Sequence, residues 1–415
     1  MREFSFYVLM ISIVIPIFQA YRNREEIYQL PFLFSIATMI FILPTLLTSM
    51  DNYKVMADSE YIRYSLFSTV CFWSAILGYR MKKIRRPIRQ EMEYFDEDKM
   101  SKILFFFMCV SFIAFFVIGN VDFGSSQGGW FAILVYPARF LRPATIMLLI
   151  LYLLKPSKNK LFFLLLSLVS SCITIFVYGR RSEVFTLFIT IMFPLFFVKG
   201  IKIKQYLIIP GILVSIFVFI VFPIARAYSI KGDYGQISNI SLTAVFAEYL
   251  DAEKSNEVVE AAKNMEVVAR ENTYNWGITI YNSIIYQFVS STIFGQSAKD
   301  FLMYDTNVKL ITFREKYSLS NNDYFRPWLT PTGYAGVFFE FGYWSVFAFY
   351  FFGGLCRKYY EKAYTRKSLS DVMFYCFFAT FILFAIYDSM ISIPVMIILY
   401  LFVFIIAKKY SRIEI

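Results

Sequence analysis

The chain has 415 residues, 58% of them hydrophobic, 20% aromatic and 17% charged, with a formal net charge of +11. Soluble domains carry about a quarter charged residues, so the composition excludes a water-soluble globule and points to an all-α polytopic membrane protein. An outer-membrane barrel would instead alternate apolar and polar residues over strands of about ten, and a basic excess in a membrane protein reports orientation before any nucleic-acid partner.

Apolar runs of roughly 17–20 residues, the length that spans a hydrocarbon core, predict about 11 transmembrane helices. They fall at 4–20, 29–48, 61–79, 103–119, 140–154, 161–178, 184–198, 206–225, 334–354, 371–387 and 391–407. The first ends in Phe-Gln-Ala-Tyr-Arg without a small-x-small site, so it reads as a span and not as a signal peptide. The fifth is short, and 130–142 reads as a re-entrant or interfacial piece leading into it. Residues 1–225 thus form a membrane bundle of spans one to eight, 226–333 a large outer loop, and 334–415 spans nine to eleven. No internal repeat is visible, which argues against an inverted-repeat transporter.

The run Arg80-Met-Lys-Lys-Ile-Arg-Arg-Pro-Ile-Arg89 anchors the orientation, because basic loops stay cytoplasmic. Counting outward, 21–28, 155–160, 199–205, 355–370 and the tail from Lys408 also fall inside. These inside segments hold 24 of the 41 Lys and Arg. The N-terminus is then outside and the C-terminus inside, with Arg2 the one residue arguing against it. On the outer side, Arg139 with Arg142 and Arg180 with Arg181 form two close pairs at the membrane boundary. The second pair lies in Val177-Tyr-Gly-Arg-Arg-Ser-Glu-Val-Phe185, between two apolar spans. Positive charge there opposes the insertion bias and needs a reason.

The outer loop of 108 residues is too rich in Tyr, Trp, Phe and Ile for a disordered linker. Val258, Ala262, Met265 and Ala269 recur at helical spacing, with Ser255 or Asn256 as N-cap. Ile278, Tyr281, Ile285 and Phe288 make a second stripe, expected to lie on the membrane surface or to cap a cavity. Two to four short helices over the outer ends of the bundle are expected.

Arginine is always charged and presents a planar fork that matches phosphate oxygens. Arg142, Arg180, Arg181 and Arg226 sit where outer loops meet spans, and converging helices would ring one outward-facing pocket. A lipid-linked diphosphate lies at that depth, and an arginine cluster would hold it and stabilise it as a leaving group. The competing reading is that each arginine snorkels to headgroups or pairs with a nearby acid. With no histidine in the chain, proton transfer falls to carboxylates, Tyr, Lys or water. Glu183 follows the arginine pair and is either its partner or catalytic. Glu340 lies within span nine, where a carboxylate is a functional candidate by default. Asp388 reads as a turn residue, and Asp233, Glu248 and Asp251 are unranked loop acids. Tyr234, Tyr274, Trp276, Tyr324 and Trp328 are rings that stack on sugars or mark the interface belt. The five cysteines, Cys71, Cys109, Cys172, Cys356 and Cys376, lie in or beside apolar spans, so neither a disulfide framework nor a zinc site is expected. No metal or other cofactor is expected.

Four features together resemble the O-antigen and oligosaccharide repeat-unit polymerases (the Wzy type). They are the outer Gly179-Arg-Arg-Ser182, the large late outer loop, the exit Thr330-Pro-Thr-Gly-Tyr-Ala-Gly-Val-Phe-Phe-Glu-Phe-Gly342 leading to Gly353-Gly354, and the basic loop after span three. The layout covers most of the chain; the specific likeness is confined to these patches. The resemblance implies an enzyme of the outer face of the bacterial inner membrane. A growing glycan would leave undecaprenyl diphosphate for the non-reducing end of a new lipid-linked repeat, without a metal. It also implies a flippase and a chain-length regulator as partners, and it maps a diphosphate-contacting arginine onto Arg180 and extends to Arg181. Arg142 and Arg226 come from topology alone. The related O-antigen ligases are associated with a loop histidine, which this chain lacks. Competing classes are a flippase or transporter of lipid-linked sugars, another polyprenyl-dependent glycosyltransferase, for which Asp51, Asp58 and Glu60 offer weak first-loop acids, and a non-enzymatic assembly subunit.

Overall fold

The computed structural model describes residues 1–81, 96–119, 139–176, 181–217, 257–289, 291–306, 332–366, 368–387, 390 and 393–412; for 115–119, 174, 176, 181–183, 292 and 387 it describes the backbone alone. Among the described residues all regular structure is helical. The helices expected from hydropathy are α1 (Arg2–Arg22), α2 (Leu30–Phe41) with α3 (Leu43–Ser49), α4 (Asp58–Met81), α5 (Glu97–Gly119), α6 (Leu141–Leu154), α7 (Lys158–Phe176) and α8 (Arg181–Lys199). The described part of expected span eight is helical, α9 (Gln205–Phe217). The outer loop contributes α10 (Glu257–Glu271), α11 (Ile278–Phe288), α12 (Ser291–Phe294) and α13 (Gln296–Leu302), and the chain returns through α14 (Gly333–Phe341), α15 (Ser345–Arg366), α16 (Leu369–Tyr387) and α17 (Ile393–Ser411).

Among the described residues five helical stretches are long and apolar enough to cross a membrane: Arg2–Arg22, Leu30–Ser49, Gly333–Arg366, Leu369–Ile386 and Ile393–Ser411. Two of them are broken. Leu30–Ser49 bends at Ile42, the residue before Leu43-Pro44, because proline lacks the N–H that would continue the ladder and enters at the second position of α3. The break in Gly333–Arg366 changes topology. Gly342 has φ +55, and a Cβ there would lie 2.6 Å from the Tyr274 ring, so only glycine makes this turn. Beyond it the chain doubles back. The rings of Tyr334 and Phe349 are 5.3 Å apart, those of Phe338 and Tyr343 also 5.3 Å, and the Ser345 hydroxyl donates to Val337 O at 2.8 Å. Those pairings describe an antiparallel hairpin. The single span expected at 334–354 is therefore a short α14 about 13 Å long, too short to cross, followed by a full-length α15.

Contacts sort the chain ends of the helices into two groups. At one end Lys202 pairs with Glu25 (2.7 Å), Arg80 donates to Gln19 (2.6 Å), Asp96 N–H donates to Ser411 O (2.7 Å) and Lys155 reaches Asp98 (3.4 Å). These are the segments that the charge pattern assigns to one side. At the other end Arg2 is buried, bonds Asp58 at 2.5 Å and also donates to the carbonyls of Ser49, Met50 and Met56. Its guanidinium stacks 4.1 Å over Tyr53. Arg2 thus serves as the tie between α1 and the α3–α4 turn, which accounts for a cation at the disfavoured end.

Among the described residues, α4 and α15 form the most extensive helix–helix contact. They run in the same direction, since Ser74 donates to Val346 O at 2.6 Å and Arg357 lies 5.2 Å over the Tyr79 ring. Small residues let their backbones meet: a Cβ on Gly78 would lie 1.9 Å from Tyr350 O, and one on Gly353 2.0 Å from Ala75 O. Helix α10 buries Val258, Ala262 and Met265, as its apolar period predicts, against α3, α4 and α14. In α11 Ile284 and Phe288 pack on the core, Ile278 and Ile285 are half-buried, and Tyr281 of the predicted stripe is exposed. Ser255 and Asn256 lie outside the described residues. All five cysteines are free thiols, three of them buried.

Candidate functional site

Arg142 is the second residue of α6, whose start is fixed by Pro143. Its guanidinium lies 5.8 Å from the Phe384 ring of α16 and within interaction distance of the Tyr400 hydroxyl of α17. The preceding Phe140 stacks on Phe402 at 5.5 Å, which seats the start of α6 on α17. Thirteen rises of helix separate Arg142 from Lys155 at the opposite end, about 20 Å. A hydrocarbon core is about 30 Å thick, so this arginine lies inside the bundle and not at its rim. The cost of a cation there makes it a functional candidate.

Helix α8 brings the second group. It packs on α6 and on α16, so α6, α8 and α16 meet pairwise. Both α6 and α8 end at the basic end of the bundle, at Lys155 and Lys199. Arg181 and Glu183 therefore start α8 at the same end as Arg142, with Arg181 about 7 Å farther along the axis because α8 is five residues longer. Glu183 in the first turn suits the positive helix terminus, whereas Arg181 there opposes it. Arg180, Arg226, Tyr234, Tyr324, Trp328, Asp233, Glu248, Asp251 and Asp388 lie outside the described residues.

Glu340 is elsewhere. It closes α14 and is 1% exposed. Its Oε2 accepts from Gly277 N–H at 2.9 Å and its Oε1 from Asn275 Nδ2 at 3.4 Å. The backbone doubles the contact: Trp276 N–H donates to Glu340 O at 2.8 Å and Asn275 N–H to Phe339 O at 2.9 Å. Asn275 Nδ2 also donates to Thr279 at 2.9 Å. Glu340 thus latches the turn 273–277 of the outer loop onto the tip of α14. No arginine touches it in the contacts described. Tyr274 and Trp276 belong to the same corner. Tyr274 packs on Phe338 (5.9 Å) and under Gly342, while Trp276 is exposed beside it. Desolvation raises the Tyr274 phenol above its ordinary value, with Tyr343 adding and Arg63 opposing.

One polar cluster was not singled out by sequence. Arg63 of α4 pairs with Glu266 of α10 at 2.6 Å and bonds the Tyr343 hydroxyl, and Arg270 approaches Glu266 at 3.7 Å. The available signal was an acid inside an apolar stripe, since Glu266 falls among Ala262, Met265 and Ala269. The candidate residues therefore form two centres. Arg142 lies where α6 meets α16 and α17, and the backbone of Arg181 and Glu183 starts the neighbouring helix α8; Glu340, Tyr274 and Trp276 gather at the α14 tip. Helix α14 links them, because its first residue, Gly333, abuts the backbone of Ala385 in α16, next to Phe384. No family model, no curated protein and no solved structure matches the chain.

Proposed function

We propose that this membrane protein is a polymerase of lipid-linked oligosaccharide repeats, with about 11 crossings, acting on the outer face of a bacterial inner membrane. A growing glycan is transferred from undecaprenyl diphosphate to the non-reducing-end hydroxyl of a new lipid-linked repeat. The C–O bond to diphosphate breaks, the new glycosidic bond forms, and the hydroxyl proton leaves with a base. The diphosphate departs as an anion and needs no proton. The product is O-antigen, capsule or a related polysaccharide, and a flippase and a chain-length regulator are the expected partners.

The observation that carries the reading is Arg142, held inside the bundle beside the start of the Arg181–Glu183 helix. A lipid diphosphate carries its charge at the membrane boundary and its tail in the bilayer, so to meet Arg142 its head group enters the bundle from that boundary. Glu183 shares this end with the arginines, so it is the carboxylate assigned to the attacking hydroxyl. Glu340 is held by Gly277 and Asn275 and is assigned to structure.

The test is the polymer ladder made by cells lacking their own copy and carrying wild type, Arg180→Ala, Arg180→Lys or Arg142→Ala, with membrane expression matched. Removing one guanidinium from a charge-stabilising set costs about 10²–10³ in rate by analogy with oxyanion donors. The ladder should collapse to single repeats. Normal ladders from all three variants would make these arginines interfacial anchors. Loss of even single repeats at the surface on deletion would assign a flippase or an earlier transferase.

A further inference from the structure

The two halves of the described outer loop differ in chemistry. Helix α10 carries Glu257, Glu260, Lys263, Glu266, Arg270 and Glu271 within fifteen residues. Residues 276–306 carry only Lys299, Asp300 and Asp305. In this second half six large side chains face away from the protein while Ile284 and Phe288 pack on it: Phe301 is 88% exposed, and Trp276, Tyr286, Ile293, Phe294 and Tyr304 are all more than half exposed. The segment is nonetheless built. Asn282 holds the segment that follows α13 by two bonds, donating to Tyr304 O at 2.7 Å and accepting from Tyr304 N–H at 3.0 Å. Lys299, one of its three charges, is folded back, its Nζ 3.9 Å over the Tyr286 ring and 3.3 Å from Tyr286 O. An apolar surface of this size, rimmed by tyrosine and tryptophan, is not left to water by a folded protein.

We infer that residues 276–306 are not part of a water-exposed domain but form a monotopic element seated in the outer leaflet. The occupant of their apolar face is bilayer lipid. Three observations select lipid. The element begins at Gly277, held by Glu340 at the tip of α14, which places it at the end of the bundle where a headgroup layer would lie. Helix α11 packs against α17, whose own residues Ile398, Phe402 and Ile405 are exposed, so both helices of that contact carry exposed apolar side chains. Tyrosine and tryptophan around an apolar patch with few charges is the composition of an interfacial element.

The test uses spin labels on the full-length protein in lipid nanodiscs. Cys109 and Cys172, the two exposed native thiols, are first replaced by Ala. Labels go at Phe301→Cys and Ile293→Cys, with Ile405→Cys as the lipid reference and Lys54→Cys, in the exposed α3–α4 turn, as the water reference. Molecular oxygen should relax the labels at 301 and 293 as it does at 405. A neutral nickel chelate should relax them at least about tenfold less than at 54, because it partitions out of hydrocarbon. Nickel relaxation matching position 54 would place the segment in water and overturn the inference. Exclusion of both reagents would place it against protein, such as a second copy, and would overturn it equally. Two label sites keep the test decisive where one substitution misfolds.

Discussion

Glu340 separates a structural carboxylate from a chemical one. In Glu340→Ala the half-buried Gly277 N–H loses its 2.9 Å acceptor, a side chain that is itself 1% exposed. A buried donor left unsatisfied costs about 1–3 kcal/mol, while Asn275 keeps Thr279. By RT ln K this raises the local opening equilibrium of the 273–288 segment by about 5- to 160-fold. Glu340→Gln retains an oxygen for Gly277 and exchanges a charge-assisted bond for a neutral one, a loss of about 1 kcal/mol or about fivefold. Hydrogen exchange of peptides covering 273–288, measured on wild type and both variants, reads these factors directly. Polymer length is measured in parallel. A general base replaced by an amide loses about 10²–10⁴ in rate, so Gln would then be as inactive as Ala. Exchange unchanged in the Ala variant, or Gln inactive with normal exchange, refutes the latch and returns Glu340 to the chemistry.

The α4–α15 seam gives a packing prediction: Gly78→Ala and Gly353→Ala each place a methyl about 2 Å from a carbonyl oxygen of the other helix. Each should cost about 3 kcal/mol or more, read as lower melting temperature and folded yield in detergent. Gly211→Ala in α9, with nothing within 4 Å of its Cβ, should instead stabilise by about 0.5–1 kcal/mol; equal effects at the three glycines would refute the close approach. At the basic end, the Lys202 hydrogen bond holds the Glu25 carboxyl below its usual 4.5, with Tyr364 assisting and partial burial opposing. A carboxyl held low stabilises the fold at pH above the ordinary carboxylate value and loses that contribution as pH falls through its folded value. Between about pH 6 and about pH 3 wild type should therefore lose more thermal stability than Glu25→Gln. Parallel losses would show that the pair contributes nothing.

Hydropathy located the helices because crossing a bilayer demands an unbroken apolar run, which is a local property. Helices α1, α5, α16 and α17 each lie within a few residues of the expected bounds. What it missed depends on partners distant in sequence. Phe-Gly342-Tyr lies inside an apolar run, and nothing nearby says that the chain doubles back there; the reason is the Tyr274 ring, 68 residues earlier, filling the space of a side chain. Glu340 was read as an intramembrane acid because its position within the run was visible and its partners Gly277 and Asn275 were not. Arg63 and Glu266 lie 203 residues apart and share the same defect. Of the proposed site, the arginine pairs were legible as charge on the wrong side of a span. The depth of Arg142 was not, since it depends on α6 being only 14 residues long and on Phe384 and Tyr400 meeting it from two other helices.

The polymerase and flippase readings make different demands on the basic end of the bundle. A flippase must open there in each cycle; an enzyme working from the other face need not. That end is tied across helices. Tyr375 donates to Tyr28 O (2.5 Å), Tyr28 donates to Ile201 O (3.2 Å) and accepts from Ile203 N–H (3.2 Å), Tyr79 donates to Gln29 (3.1 Å) and Gln29 to Tyr360 (3.2 Å). At about 1 kcal/mol net for each of the five bonds, opening costs about 5 kcal/mol. The open form would then hold about one molecule in several thousand, before any loss from the stacked Tyr28 and Phe196 rings. A staple makes the distinction experimental: Gln29→Cys with Tyr360→Cys, joined by a bis-maleimide in membranes, holds this end shut. A one-sided polymerase should keep its activity after stapling relative to the unjoined double variant. A flippase should lose transport in proportion to the fraction joined, and that result would move the arginines of α6 and α8 from a catalytic clamp to a translocation path.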